Sequence, residues 1–416
     1  MNAEIVSIGD ELLIGQVINT NQAYIAERLN SVGVNVVRMS TVGDRVAEIL
    51  GVLEEAWKRA QVTVVTGGLG PTHDDVTRAA VCEFFQTDLI MDEKALEHIQ
   101  RRFEARGLPV TPNNRDQAMV PRGCRVIQNI EGTAPGYFFE REDRFMAVVP
   151  GVPYEMKGMM ERFIVPFFAE RGTGIVIRHK TLRTTGIAES ILAERLGDVS
   201  ALFGGRQGMT LAYLPSPLGV RLRITARSRS SSEAEESIAV AERKIRERAE
   251  KYIYGQDEEE LEEVVGRMLA ERGLTIAVAE SCTGGIISDR LTDVSGSSRY
   301  FERGFITYSN ESKTAELGVP AGLLAEHGAV SKEVAQAMAK GARERAKTDI
   351  GLSTTGIAGP TGGTPEKPVG LVWIGYSDHS QTLALRFNFV DERRRIKERA
   401  SQAALELVRR ALLKIG

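Results

Sequence analysis

The sequence predicts an α/β protein of three domains, on three observations. The chain has 416 residues, too many for one ordinary domain and enough for two or three. Strand and helix signals alternate over the first 170 residues and again from about residue 257, which is typical of a largely parallel sheet covered by helices. Between them, polar-alternating strands and charged helices indicate a small α+β module. We therefore expect domains at 1–170, 171–255 and 256–416.

The first domain is predicted to be a three-layer α/β unit. Short apolar or β-branched runs predict its strands, and apolar residues at helical spacing predict its helices. In chain order we expect a strand at 4–8, a helix at 21–29, a strand at 34–39, a helix at 47–59, a strand at 62–66, a helix at 75–85 and a late strand at 145–149.

The same criteria divide the rest of the chain. In the middle module we expect strands at 175–182, 209–214 and 219–228 and helices at 188–196 and 232–252. In the last domain we expect helices at 262–272, 284–291, 331–345 and 392–413 and strands at 275–280, 305–308, 350–355, 369–376 and 383–390. The last two strands are expected to pair antiparallel.

Composition excludes several classes of protein. With 42% hydrophobic and 26% charged residues, the chain is neither collagen-like nor disordered. No apolar run approaches the roughly 20 residues of a membrane helix, and the N-terminus does not resemble a signal peptide, so we expect a soluble cytoplasmic protein with no membrane partner. Three widely spaced cysteines make neither a disulfide framework nor a zinc knuckle.

Charge is unevenly distributed. The net charge is −3, yet residues 171–255 carry 15 Lys and Arg against 9 Asp and Glu. A basic module in an acidic protein is compatible with nucleic-acid binding, but such a surplus more often marks a solvated face. We therefore do not expect a nucleic-acid partner.

A glycine-rich turn at 66–77 follows a predicted buried strand and precedes a helix. At the carboxyl end of a parallel strand, glycines let backbone N–H groups approach an anion, and the helix N-terminus adds positive charge. The stretch has neither the lysine of a Walker loop nor the spacing of a dinucleotide fingerprint. Its expected phosphate contacts are Gly67, Gly68, Gly70 and Thr72.

Several carboxylates are expected at the same edge of the sheet. Asp10 and Glu11 follow the first predicted strand, Asp44 follows the second, and Asp74 and Asp75 lie in the glycine-rich turn. Carboxylates beside a phosphate-binding turn suit a divalent cation that bridges to a pyrophosphate. The alternative is that these acids cap helices, because Asp is common in a first helical turn.

Ser281 lies between a predicted strand and a helix, where free N–H groups of the first helical turn suit an oxyanion. No histidine is near in sequence, so the candidate base is Lys313, provided burial lowers its pKa. Tyr308 precedes this lysine and is expected to bring a phenol close to the amine. Cys282 is the rival nucleophile, although an inert buried thiol fits it better. Helix capping by Ser281 is the alternative.

A second glycine-rich loop, at 354–363, also follows a predicted strand. Its density of glycines indicates close approach of a ligand phosphate, although a plain surface loop has the same composition.

The N-terminal motifs resemble a known fold. Residues 7–15 (SIGDELLIG) and 67–77 are similar to the molybdopterin-binding, MogA/MoaB-like fold and, more closely, to the N-terminal domain of the CinA family. The resemblance implies metal-dependent hydrolysis of ADP-ribose to AMP and ribose 5-phosphate. Asp44 and Asp75 match the paired aspartates of the molybdenum-cofactor relatives. With Asp10, which follows the first strand, they are the expected metal ligands, and Asp75 is the expected catalytic residue. Residues 149–155 match a turn of the same family.

The C-terminal motifs resemble the nicotinamide-nucleotide amidase domain of that family, through residues 281–285, 304–313, 327–331 and 355–370. The resemblance implies hydrolysis of nicotinamide mononucleotide (NMN) to nicotinate mononucleotide and ammonia, with no metal required. Ser281 would be the nucleophile, and Tyr308 and Lys313 would transfer protons. The implied substrate contacts are Thr283, Gly284, Thr355, Gly356 and Gly359.

The middle module is KH-like by the same resemblance. Its GxxG sequence, at 205–208, runs into a predicted strand, whereas a nucleic-acid-binding KH loop lies between two helices. We therefore expect a spacer or a dimer element, and the family suggests a homodimer. Two alternatives stay open: a nucleic-acid-associated adaptor in competence or repair, and a molybdopterin-binding module without hydrolase activity.

Overall fold

The computed structural model describes residues 1–72, 75–171 and 174–415. Their contacts divide the chain into two compact units, residues 1–178 with 226–235 and residues 179–225 with 236–416. Within the described part of the chain, no helix combines the length and the apolar character needed to cross a membrane.

The first unit is built on a six-stranded sheet of order β2-β1-β3-β8-β7-β6. Its four strands β2, β1, β3 and β8 are parallel, and β7 and β6 continue the sheet antiparallel; β4 and β5 form a separate antiparallel pair. The strands are β1 (Asn2–Ile8), β2 (Asn35–Val42), β3 (Val62–Thr66), β4 (Leu89–Met91), β5 (Met119–Pro121), β6 (Arg125–Ile127), β7 (Gly136–Arg141) and β8 (Arg144–Val149).

Helices cover both faces of this sheet. They are α1 (Asp10–Leu13), α2 (Thr20–Ser31), α3 (Val46–Arg59), α4 (Thr77–Phe85), α5 (Glu93–Glu104), α6 (Pro112–Asp116), α7 (Pro153–Met159) and α8 (Val165–Glu170), with one π-helical turn at Met160–Ile164. One buried cluster gathers α2, α7 and α8 on the sheet, and another gathers α3 and α4. This confirms the predicted three-layer α/β arrangement, because alternate residues of β1 belong to opposite clusters.

The middle segment carries a four-stranded sheet of order β10-β11-β9-β12, in which β12 and β9 are antiparallel. Its strands are β9 (Val176–Thr184), β10 (Met209–Ser216), β11 (Gly219–Ser228) and β12 (Ile253–Gln256). Its helices are α9 (Glu189–Leu196), α10 (Val199–Leu202) and α11 (Ser231–Ala249), followed by a 3-10 turn at Glu250–Tyr252. Residues 205–208 lie between α10 and β10, so the GxxG sequence runs into a strand, as predicted.

The last segment has a five-stranded sheet of order β14-β13-β15-β16-β17. Strands β14, β13 and β15 are parallel, and β16 and β17 pair antiparallel as predicted. The strands are β13 (Ile276–Glu280), β14 (Phe301–Ile306), β15 (Ile350–Gly356), β16 (Leu371–Ser377) and β17 (Thr382–Asn388). The helices are α12 (Leu261–Arg272), α13 (Ile286–Asp293), α14 (Asn310–Leu317), α15 (Ala321–His327), α16 (Lys332–Ala346) and α17 (Arg393–Leu413), and a 3-10 turn lies at Ser297–Arg299.

Two differences between the predicted and the observed boundaries in this segment affect the candidate site. The strand expected at 305–308 is β14, which ends at Ile306, so Tyr308 lies in the loop beyond it. The helix expected from Gly284 begins at Ile286. Gly284 and Gly285 have φ values of 63° and 100°, a left-handed conformation that keeps both residues out of the helix.

Candidate functional site

Ser281 is the first residue after β13, at the carboxyl end of a parallel strand. Its backbone N–H donates to the carbonyl of Thr354 at the same end of β15, at 3.0 Å. The residue is 8% exposed. The hydroxyl is therefore held at the sheet edge where ligands of open α/β sheets usually bind.

Lys313, in the first turn and a half of α14, brings its amine to this hydroxyl. The distance from Lys313 Nζ to Ser281 Oγ is 3.1 Å, and the lysine is 1% exposed. The same nitrogen lies 2.8 Å from the carbonyl oxygen of Thr307 and 3.4 Å from that of Tyr308. Among the described residues no carboxylate makes an ion pair with it.

Burial lowers the pKa of Lys313, because the low-dielectric interior disfavours an ammonium ion that has no counter-ion. A neutral amine has two N–H donors and one lone pair. The two carbonyls take the N–H groups, which leaves the lone pair for the hydroxyl proton of Ser281. The geometry thus suits a Ser nucleophile with a Lys base.

The carboxylate of Glu280 accepts hydrogen bonds from the N–H groups that we expected to face an oxyanion. Its fully buried carboxylate accepts from the N–H of Gly285 (2.9 Å), Ile287 (3.1 Å) and Ser288 (2.8 Å), and from the hydroxyl of Ser288 (2.7 Å). The expectation that the first helical turn faces an oxyanion is therefore wrong. Among the hydrogen bonds of the described residues, the N–H of Gly284 has no acceptor, and because Gly284 is exposed this N–H is available to a ligand, whereas Thr283 is fully buried.

The predicted contacts at 283 and 355 are buried threonines with structural hydrogen bonds. Thr283 Oγ1 lies 2.7 Å from Thr354 Oγ1, and Thr355 Oγ1 donates to the carbonyl of Ala329 at 2.7 Å. A Cβ at Gly356 would come within 2.6 Å of the carbonyl oxygen of Leu371. Their close packing fixes the loop that follows β15 beside the Ser281 turn.

Tyr308 contacts Lys313 through its backbone carbonyl and not through its phenol. Its carbonyl faces Lys313, whereas its phenol oxygen accepts from Arg393 Nη2 at 3.1 Å, and the residue is 62% exposed. The expected contact between the phenol and the amine is absent among these hydrogen bonds. The reason is that β14 ends two residues earlier than the strand we predicted.

Two cations at the start of α17 complete this site, and sequence reasoning missed both. Arg393 Nη1 donates to the carbonyl of Gly359 at 2.7 Å. A Cβ at Gly284 would lie 3.3 Å from Lys397 Nζ. The basic run at the start of the closing helix was the available signal, yet nothing in the sequence places that helix end beside Tyr308.

Cys282 does not have the properties of a nucleophile. It is 5% exposed, and burial raises the pKa of its thiol to about 12. A thiol with that pKa is almost entirely protonated at neutral pH, and the thiolate is the reactive form.

In the first unit, the glycine-rich turn is packed tightly between β1 and α4. Gly67 and Gly68 have φ values of 114° and 64°, and a Cβ at Gly67 would collide with the carbonyl oxygen of Ile8. Thr77 Oγ1 donates to the carbonyl of Gly67 at 2.9 Å. Asp75 accepts from the N–H (2.9 Å) and the hydroxyl of Thr72, and it faces Gly70.

Asp10 and Asp44 are brought together at the same end of the sheet. The N–H of Asp10 donates to Asp44 Oδ2 at 2.8 Å, and the N–H of Asp44 donates to Asp10 Oδ1 at 3.3 Å. Burial raises the pKa of Asp44, and the carboxylates of Asp10, Glu11 and Asp75 raise it further. Oxygen donors under mutual repulsion suit a hard divalent cation.

The described residues do not, however, gather three acidic, histidine or cysteine side chains in a metal-binding arrangement. Asp74 lies outside the described residues. Asn21, which sequence reasoning missed, links the end of β3 to the predicted turn at 149–155. Its Nδ2 donates to Thr66 Oγ1 (3.2 Å) and to the carbonyl of Gly151 (2.8 Å).

Comparisons with known proteins agree with these three parts. Residues 4–170 match the probable molybdopterin binding domain, residues 179–255 match the damage-inducible protein CinA KH domain, and residues 258–412 match the CinA C-terminal domain. The predicted molybdopterin-binding-like, KH-like and C-terminal α/β folds are thereby confirmed.

Two relatives match over nearly the whole chain. A CinA-like protein of Gemmatimonas aurantiaca is 46% identical over 99% of this chain and 96% of its own, and a CinA-like protein of Chloroherpeton thalassium is 45% identical over 99% of both. A crystal structure of a CinA superfamily protein from Klebsiella pneumoniae is 32% identical and covers 37% of this chain and 96% of that one, with a TM-score of 0.36. The chain belongs to the CinA family.

Proposed function

We propose that the second unit is an amidase that hydrolyses NMN to nicotinate mononucleotide and ammonia. The observation that carries this proposal is the 3.1 Å contact between the buried Lys313 amine and the Ser281 hydroxyl. A serine paired with a lysine of lowered pKa is an arrangement for acyl transfer from an amide. Membership in the CinA family supports the choice of substrate, because the resemblance of its C-terminal domain implies this reaction.

In the first half-reaction, Lys313 Nζ takes the hydroxyl proton as Ser281 Oγ attacks the carboxamide carbon. Negative charge then develops on the carboxamide oxygen. Since Glu280 holds the N–H groups of the helix, the donor for this oxygen is the N–H group of the exposed Gly284. Lys313 next gives its proton to the departing nitrogen, so ammonia leaves and Ser281 carries the acyl group as an ester.

In the second half-reaction, water attacks the ester while Lys313 again accepts a proton. Collapse of the tetrahedral intermediate returns that proton to Ser281 Oγ and releases the nicotinate carboxyl group. One water enters and one ammonia leaves in each cycle. Lys313 acts as base and acid in turn, which requires a pKa near the working pH, and burial moves its pKa in that direction.

The phosphate of a mononucleotide is assigned to Arg393 and Lys397. Arg393 carries spare N–H donors beside the carbonyl of Gly359 and the Tyr308 phenol, and Lys397 lies over Gly284. Arg and Lys are the usual binders of phosphate oxygens. Tyr308 in this arrangement orients Arg393 and supplies a carbonyl to Lys313.

The test is ammonia release from NMN by the pure full-length protein in EDTA. We expect activity in the wild type and a loss of about 10³-fold or more in Ser281→Ala and Lys313→Ala. Lys340→Ala is the matched control, since Lys340 is exposed on α16 and, among the described residues, forms an ion pair with Glu344 alone. No ammonia from the wild type would refute the amidase assignment, and full activity in either dyad variant would refute the mechanism.

A second proposed activity belongs to the first unit: hydrolysis of ADP-ribose to AMP and ribose 5-phosphate. Asp10 and Asp44, which are in contact, would hold a divalent cation, and Asp75 would have to move towards this pair to complete the site. The cation would supply charge neutralisation for a pyrophosphate. The pKa of Asp44, raised by burial and by its acidic neighbours, supports this assignment. The measurement is AMP formation from ADP-ribose with Mg²⁺ or Mn²⁺ and with EDTA. Metal-independent AMP formation, or none, would contradict it.

A further inference from the structure

A cavity of about 500 Å³ lies within the second unit and shares no lining residue with the Ser281 site. Its walls are the loop before α9, the turn between β10 and β11, strand β17 with the residue beyond it, and helix α17. A volume of this size is typical of pockets that enclose a small molecule. The chemistry of two of these walls indicates which kind of molecule would fit.

One wall is flat and apolar. Leu385 and Phe387 lie two residues apart on β17, so they share a face of this edge strand, and Phe389 follows just beyond. The rings of Phe387 and Phe389 are nearly parallel, with an interplanar angle of 7° and centroids 5.6 Å apart. Leu385 is 45% exposed although it is apolar. This surface suits the face of a planar ring.

The wall on α17 carries a surplus of positive charge. Arg409 already binds both oxygens of Glu406, at 2.7 and 2.9 Å. Arg410 donates to the same carboxylate through its Nε alone, at 2.7 Å. The single negative charge of Glu406 therefore faces two guanidinium groups. Arg399 on the same helix lies over the Phe389 ring at 5.3 Å and is 3.8 Å from Asp391. The exposed Glu189 on the far rim is the other acid of the lining.

We propose that this cavity binds a small planar aromatic anion. Its ring would lie on Leu385 and Phe387, and its carboxylate or phosphate would take the remaining N–H donors of Arg410. Guanidinium groups bind both anions through paired N–H donors, and they also stack on aromatic faces. The proposal does not depend on the reaction at Ser281.

The test is a calorimetric titration of the full-length protein with 2-naphthoate, with the neutral 2-naphthalenemethanol as the ligand control. We expect saturable binding of one naphthoate per chain and binding of the alcohol that is weaker by about tenfold or more. Absence of saturable naphthoate binding, or equal binding of the alcohol, would overturn the proposal.

Two variants and a matched control locate the binding. Leu385→Glu places a negative charge in the cavity at an exposed position and is expected to weaken naphthoate by about tenfold or more. Leu413→Glu makes the same change at a leucine that is 42% exposed outside the cavity, and it should leave the affinity unchanged. Arg410→Gln should remove the preference for the anion. Wild-type affinity in Leu385→Glu would refute the site even if Arg410→Gln fails to fold.

Discussion

The backbone carbonyl of Glu280 accepts a hydrogen bond from the N–H of Thr307 at 2.9 Å. Glu280 is the last residue of β13 and directly precedes Ser281, while the carbonyl of Thr307 holds the amine of Lys313. One backbone hydrogen bond, between the end of β13 and the residue just beyond β14, therefore links the segments that carry the nucleophile and its base. The side chain of Glu280 fixes the other end of the Ser281 turn, through Gly285.

We predict that the acid limb of the amidase pH profile reports Lys313. The amine must be neutral to accept the Ser281 proton, so kcat/KM should rise with pH through the lowered pKa and level off below about 10.4, the ordinary lysine value. The measurement is kcat/KM for ammonia release as a function of pH, with Lys340→Ala as control. A limb at the ordinary lysine pKa would contradict the assignment.

We predict that Lys313→Met makes the protein more stable while it abolishes the amidase. The pKa of Lys313 is lowered in the folded protein and ordinary in the unfolded chain. At a pH between these two values, the unfolded state binds a proton that the folded state does not. The stability of the wild type therefore rises with pH in this range. The variant should melt higher at neutral pH, by about 2–4 °C for each kcal/mol gained.

The advantage of Lys313→Met should shrink as the pH approaches about 10.4. Thermal unfolding at several pH values measures it, with Lys340→Met as the matched control. A variant that is less stable than the wild type at neutral pH would show that the buried amine stabilises the fold.

We predict that Glu280→Gln lowers kcat by about 10- to 100-fold with little change in KM. A glutamine keeps the size of the side chain but turns one acceptor into an N–H₂ group that faces backbone N–H donors, so the Ser281 turn shifts. Glu280 touches no substrate and is a positioning residue. Ser288→Ala, which removes only the hydroxyl donor, should cost less.

The control for this variant is Glu326→Gln, at a side chain that is 75% exposed. Kinetics of ammonia release in folded variants, checked by circular dichroism, give the comparison. Wild-type kcat in Glu280→Gln would mean that its carboxylate only caps α13.

We predict that Cys282→Ala keeps the amidase active, within about twofold of the wild type, since among the described residues the thiol makes no hydrogen bond to Ser281 or Lys313. Because the pKa of the buried thiol is raised to about 12, iodoacetamide should not label Cys282 in the folded protein near neutral pH. Peptide mass spectrometry of labelled protein measures this. If Cys282→Ala lost activity and Ser281→Ala kept it, Cys282 and not Ser281 would be the nucleophile.

We predict that Asp75→Ala lowers metal-dependent AMP formation from ADP-ribose by about 10²-fold or more and leaves ammonia release from NMN intact. The control is Asp88→Ala, at an exposed aspartate beyond α4. Parallel assays of AMP and ammonia on each variant give the result. Loss of both activities in Asp75→Ala would show that the two sites are not independent.

Much of the fold followed from periodicity. The β-branched run at 62–66 is β3, and the alternating run at 219–228 is β11, because both signals are local. The segment between 86 and 144 has no clear period from which its elements could be predicted. Its strands β4, β5 and β6 have three residues each, too few to show a period.

Motifs at strand ends predicted the fold class and the family and made Lys313 the candidate base for Ser281, since such motifs are local and the order of strands brings those ends together. The folded chain alone shows the 3.1 Å contact of Lys313 with Ser281, the bonds of Glu280 to the helix N–H groups, the contact of the Tyr308 phenol with Arg393 and the cations of α17. These contacts join segments far apart in the chain. They depend on where a turn ends and on how a helix packs, which residue type and spacing do not encode.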